Sequence, residues 1–130
     1  MILDSSALVA ILFAEPGHLK LVDAILEADK AGVSAPTLAE AGLVFMGRLR
    51  TRNARAVEAL VEELGVSVLP FGAAEWPIAV EAFRRYGRGR HPAALNFGDC
   101  LAYATAKASR DALLYVGRDF AKTDIKPAIS

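Results

Sequence analysis

The chain has one cysteine, two histidines, one tryptophan and no net charge. A lone Cys100 excludes an internal disulfide and any CxxC zinc pattern, and its simplest setting is a reducing, intracellular one. Zero net charge argues against a general polyanion-binding protein. No run approaches the ~20 apolar residues that a membrane span requires. The apolar start, Met1 to Ala14, has no basic n-region and has Asp4 inside it, so it does not read as a signal peptide. A soluble, cytoplasmic protein with no membrane partner is expected. Repeats, linkers and low-complexity tracts are also missing.

What is present is a globular composition, 54% apolar and 23% charged over 130 residues, which fits a single domain across 1–130 with one ordinary core. The charge is unevenly placed. Eight of the ten arginines fall in two stretches, Arg48-Arg50-Arg52-Arg55 and Arg84-Arg85-Arg88-Arg90. A local basic surface is therefore compatible with the zero total.

Periodicity alternates between short apolar runs and helical stretches. Met1-Ile2-Leu3 reads as a buried strand ending at Asp4, and Ala7 to Ala14 as a short helix behind the capping types Ser5 and Ser6. A helix over His18–Lys30 and a weak strand at Val33–Ala35, halted by Pro36, come next. Thr37 to Leu49 follows as a helix, with Thr37 and Glu40 in capping-box spacing. An amphipathic helix from Ala56 to Leu64 and a strand at Val66–Leu69 precede a helix from Pro77 to Tyr86. Trp76 reads as core or interface. Cys100 to Ala108, apolar nearly all round, reads as a buried helix with Asp99 in its first turn. Leu113 to Val116 is a fourth strand, and Ile129-Ser130 a candidate for a last one. Strands separated by helices imply a parallel sheet of four to five strands between helical layers, a three-layer α/β/α fold.

That topology gives the acids positions. Asp4 and Asp119 follow the first and fourth strands. Glu40 and Asp99 lie in first turns of helices that start at the same sheet edge. All four converge on one rim, although 36, 59 and 20 residues separate them in the chain. Taken singly, Glu40 and Asp99 are explained as helix caps. Together, four carboxylates would repel one another and raise each other's pKa unless a cation sat among them. Oxygen donors of this kind suit Mg²⁺ or Mn²⁺, which can acidify a water and neutralise charge on a phosphoryl oxygen.

Four stretches carry a resemblance: Met1-Ile2-Leu3-Asp4-Ser5-Ser6-Ala7-Leu8, Thr37-Leu38-Ala39-Glu40, Leu95-Asn96-Phe97-Gly98-Asp99-Cys100 and Leu114-Tyr115-Val116-Gly117-Arg118-Asp119-Phe120. In order and spacing, together with Lys122-Thr123-Asp124-Ile125, they resemble the acidic motifs of PIN-domain ribonucleases, in particular the VapC toxins of bacterial toxin–antitoxin pairs. The resemblance implies a PIN-like fold in which Asp4, Glu40, Asp99 and Asp119 hold one or two Mg²⁺ or Mn²⁺ ions and activate water against an RNA phosphodiester. It implies a homodimer as well, and a VapB-type antitoxin whose C-terminal segment covers the acidic cleft. Ser5 stands where similar proteins often have Thr. Arg118 stands where an acid is common, which leaves Asp119 as the candidate for the fourth position.

Around these, Ser6 either caps the first helix or bonds an acid, and Asn96 fixes the loop or orients Asp99. Arg84, Arg85, Arg88, Arg90 and His91 are candidates for RNA contact; a solvated helix face is the plainer reading of the arginines. Cys100 points to the core and is inert. His18 is surface. Two other enzyme classes fail on named residues. A haloacid-dehalogenase-type phosphatase needs an acid where Ser6 stands, and a receiver domain needs an Asp where the third strand runs into Leu69-Pro70-Phe71. The non-enzyme alternative is a catalytically inactive PIN-fold module that binds RNA or protein; such a loss would usually remove an acid, and none is missing.

Overall fold

A computed structural model describes residues 1–129. Its strands are β1 (Ile2–Leu3), β2 (Gly32–Ser34), β3 (Ser67–Leu69) and β4 (Leu113–Leu114). All pair in parallel, in the order β3-β2-β1-β4. Between them lie α1 (Ser5–Leu12), α2 (His18–Glu27), α3 (Ala35–Leu49), α4 (Arg55–Glu63), α5 (Trp76–Tyr86) and α6 (Phe97–Ser109), and a short 3-10 turn, Phe120–Lys122, follows β4. The expected parallel sheet between helical layers is the observed one.

Even two-residue strands divide the core, because successive side chains point to opposite faces. Leu3 and Leu114 join Val33 in a cluster with Leu8, Leu21, Ile25, Ala41 and Val61 from α1 to α4. Ile2 and Leu113 face the other way and pack with Ala82, Tyr86, Cys100, Ala102 and Tyr103 from α5 and α6. Helix α6, buried along Cys100–Ala106, is the inner wall of that second layer.

Three helix starts, those of α1, α3 and α6, differ from the sequence expectation by two or three residues, each time because the cap lies further upstream. Asp4 itself caps α1, its carboxylate accepting from the Ser6 N–H, so the helix begins at Ser5. Ser34 caps α3: its hydroxyl accepts from the Thr37 N–H at 3.3 Å and donates to the Thr37 hydroxyl at 3.0 Å. Pro36, expected to halt the strand, occupies the first helical turn, where its missing N–H costs nothing. Asn96 caps α6, which places Gly98 inside the helix rather than before it. At the C-terminal end, extended pairing to β4 comes from Lys126 to Ala128, through a parallel bridge between Leu113 and Pro127. The expected strand at Ile129-Ser130 is thus shifted upstream, and Ser130 lies outside the described residues.

Candidate active site

The carboxyl ends of β1, β2 and β4 form one edge of the sheet, where open α/β folds place their sites. Asp4 leaves β1 there, its N–H held by the Leu114 carbonyl at 2.9 Å. Only 3% of Asp4 is exposed. One oxygen, Oδ2, serves as the α1 cap; the other, Oδ1, is buried with no hydrogen-bond donor. Burial pushes the Asp4 carboxyl up to about 6. The hydroxyl and N–H of Ser6 pull against that rise, and the charges of Asp99 and Glu40 add to it. Of the two roles considered for Ser6, the structure shows the bond to an acid; the cap of α1 is Asp4, and Ser6 lies inside the helix. Its hydroxyl also accepts from the Val116 N–H at 3.0 Å, tying the start of α1 to the loop after β4.

Glu40 was expected as the partner of Thr37 in a capping box in the first turn. With Ser34 as cap, Thr37 occupies the third helical position and Glu40 falls in the second turn, free of capping work. Its Oε1 is buried without a donor, like Asp4 Oδ1. Asp99 is reached from α6. Asn96 and Asp99 form a reciprocal capping box: the Asp99 N–H donates to Asn96 Oδ1 at 2.9 Å, and the Asn96 N–H donates to Asp99 Oδ2 at 3.0 Å. Burial, with the nearby charges of Asp119 and Glu40, raises the Asp99 carboxyl above its ordinary range, and Asn96 and Arg88 oppose the rise.

Asp119 lies at the outer side of this group. It is exposed, starts the 3-10 turn without making a side-chain cap bond, and reaches Asp99 by charge. The acids do not close into a finished cage. Among the described residues, no three acid, histidine or cysteine side chains are drawn together as a ready metal site. The inner acids nevertheless suit a hard cation. Two buried carboxylate oxygens lack any donor, a third acid stands beside them, and all the donors are oxygen.

The basic stretch is less uniform than its sequence. Arg84 pairs with Glu81 on the exposed face of α5 at 2.8 Å. Arg85 lies over the Tyr86 ring, and Arg90 over Phe83. His91 accepts from the Ala93 N–H at 3.0 Å and meets Tyr86 edge-on, so it braces the loop. Arg88 is exposed, and its charge is felt at Asp99.

Three features were not foreseen. An apolar groove of about 760 Å³ between α3, α5 and α6 runs up to Glu40 and Gly98, with Leu43, Trp76, Val80 and Phe97 on its walls. Phe97 is 79% exposed and Trp76 59%. The spacing of Trp76, Ala79 and Phe83 by three and four residues, with Val80 beside them, was a usable signal for an unpartnered helix face. Secondly, Asp124 accepts from the Tyr103 hydroxyl at 2.6 Å and from Lys107 at 2.8 Å, fastening the C-terminal loop to α6. Thirdly, Gly98 packs directly against the Glu40 carboxylate.

Recessed carboxylates at the edge of an α/β sheet are a donor set of the kind that suits a hard cation. A family model for the PIN domain matches residues 1–126, and the chain belongs to that family. Similar proteins include ribonuclease VapC36 of Mycobacterium tuberculosis, 46% identical over 127 residues, covering 97% of this chain and 91% of the relative. Ribonuclease VapC42 of the same organism is 40% identical over 129 residues, 98% of each chain. Among solved structures, the sarcin–ricin-loop-cleaving toxin VapC20 of M. tuberculosis superposes with a TM-score of 0.73, covering 97% of this chain and 98% of that one at 19% identity, a likeness of fold.

Proposed function

We propose that this chain, a single PIN domain over residues 1–130, is a metal-dependent endoribonuclease, the toxin of a toxin–antitoxin pair. It hydrolyses RNA phosphodiester bonds at the rim of Asp4, Glu40, Asp99 and Asp119. The supporting observation is the pair of buried, donorless oxygens, Asp4 Oδ1 and Glu40 Oε1, beside an Asp99 whose carboxyl is itself raised. Carboxylates in that condition are costly unless a cation neutralises them. Mg²⁺ or Mn²⁺, when bound, supplies that charge, acidifies a water and offsets the charge building on the phosphoryl oxygen.

The chain's own residues do the positioning. Asp4 and Glu40 offer the inner oxygens. Ser6 fixes Asp4, and the Asn96 N–H holds one Asp99 oxygen and leaves the other for the cation. Asp119 serves from the outer side. Arg88, exposed next to Asp99, receives the RNA phosphates, while Arg84, Arg85, Arg90 and His91 give weaker or indirect help. The relatives at 37–46% identity are named as ribonucleases, which supports the same reaction class here.

The family relationship supports the partners too: a second copy of the chain and a VapB-type antitoxin over the acidic cleft. The exposed apolar walls of the groove between α3, α5 and α6 are the kind of surface a protein partner covers. The same family relationship supports a cytoplasmic home. No helix is long and apolar enough to cross a membrane among the described residues.

The test is incubation of purified protein with total cellular RNA in Mg²⁺, in Mn²⁺ and in a chelator, with Asp99→Asn alongside. Discrete fragments that require both metal and Asp99 are expected. Equal cleavage by the mutant overturns the assignment.

A further inference from the structure

Gly98 sits in the first turn of α6, directly between the capping residue Asn96 and Asp99. Glycine in a helix costs up to ~1 kcal/mol relative to alanine. Nothing in the backbone explains its presence here, because Gly98 is not among the residues with positive φ. Space does. A Cβ built at Gly98 would collide first with Oε2 of Glu40 and would lie 2.9 Å from its Cδ and Oε1, closer than real Cβ atoms approach other heavy atoms. Oε1 is the same buried oxygen that lacks a hydrogen-bond donor.

We propose that Gly98 is a positioning residue: its missing side chain is the seat that holds the Glu40 carboxylate between α3 and α6, beside Asp4 and Asp99. The proposal rests on the reading of Glu40 as a metal-binding acid and adds what fixes it in place. The colliding atoms belong to the far end of a flexible side chain, not to backbone. An alanine at 98 is therefore accommodated by swinging Glu40 out toward the open groove that both residues line. The cost falls on the placement of one carboxylate, and the helix itself gains from the better helix former.

The experiment uses the full chain, free of metal, as wild type, Gly98→Ala, Glu40→Gln and the double variant. Thermal unfolding establishes that each is folded. Carbon-13 NMR of the side-chain carboxyl carbons follows Glu40 without metal, and Mn²⁺ titration by calorimetry follows its use. In Gly98→Ala the Glu40 carboxyl resonance is expected to move while that of the distant Asp111 stays. Mn²⁺ affinity is expected to fall at least tenfold, about as far as in Glu40→Gln, and to fall no further in the double variant. An unmoved Glu40 resonance overturns the seat. So does a loss in the double variant equal to the two single losses combined, because Gly98 would then act independently of Glu40. If the wild type binds no Mn²⁺, or Glu40→Gln binds it normally, the metal reading of Glu40 falls, and the resonance alone decides the seat.

Discussion

Replacing Asp4 by Asn makes the metal-free protein more stable and inactive. The Asp4 carboxyl is raised from the ordinary 3.8 to about 6, first by burial and then by the charges of Asp99 and Glu40. At roughly 1.4 kcal/mol per pH unit, ionised Asp4 costs the folded state about 3 kcal/mol at neutral pH. The sign follows from linkage. The folded state binds the Asp4 proton more tightly than the unfolded chain does, so the group's favourable contribution is complete below pH 3.8 and is lost as pH rises through 6. Asparagine carries no charge and is as good a helix N-cap as aspartate, so the bond from the Ser6 N–H survives. At pH 7.5 in a chelator, Asp4→Asn is expected to gain about 3 kcal/mol in denaturant unfolding, or roughly 10 °C in melting temperature for a chain of this length. The gain should shrink between pH 6 and 4 and vanish below. Saturating Mn²⁺ should narrow the gap at pH 7.5, because ligand binding stabilises the wild type more. A variant no more stable than wild type at pH 7.5, or one whose advantage persists at pH 3.5, would show that the Asp4 charge is not the source of the strain.

Asn96→Ala should lower stability by about 1 kcal/mol, because the Asp99 N–H loses its acceptor, Asn96 Oδ1. The first turn that presents Asp99 then frays, and cleavage should fall with it, although the backbone N–H at 96 still donates to Asp99 Oδ2. Paired unfolding and cleavage assays check this, and wild-type cleavage by the variant would refute the positioning role of Asn96. Cys100 is 4% exposed and its thiol is pushed up to about 11 by burial, with the Asp99 charge adding to it. Alkylation by iodoacetamide at pH 8 should therefore follow global unfolding, and rapid labelling of the folded protein would contradict the buried assignment.

The layered fold and the rim were legible in the sequence because they depend on coarse signals: apolar runs, helical periodicity, and acids that follow strands. Helix starts were less legible. A serine ending a strand and a serine capping the next helix look alike in sequence, and Ser34, the last residue of β2, does both. That ambiguity moved Glu40 by most of a turn. The arginine stretch was legible only as a count of charge; the structure adds that Arg84 pairs with Glu81, Arg85 lies over Tyr86 and Arg90 over Phe83, with Arg88 exposed near Asp99. The role of Gly98 was not legible because its partner, Glu40, lies 58 positions earlier, and no local pattern records a contact made across the fold.

Capping and ligation looked like rival explanations of Asp99, and Asp4 proves to be a cap as well; the geometry makes the two roles compatible. A carboxylate has two oxygens. Asp4 gives Oδ2 to the first turn of α1 and keeps Oδ1 bare; Asp99 gives Oδ2 to Asn96 and keeps its other oxygen. The cap bond fixes the side-chain rotamer, so the free oxygen is held in place without a partner of its own. Glu40, which caps nothing, has no such tether and depends on packing against Gly98. Local bonds in the first helical turns therefore orient two of the acids, and one close helix–helix contact orients the third. Variants of these two kinds should fail differently. Loss of a cap lowers stability and activity together, whereas a side chain added at Gly98 displaces an acid and leaves the fold standing.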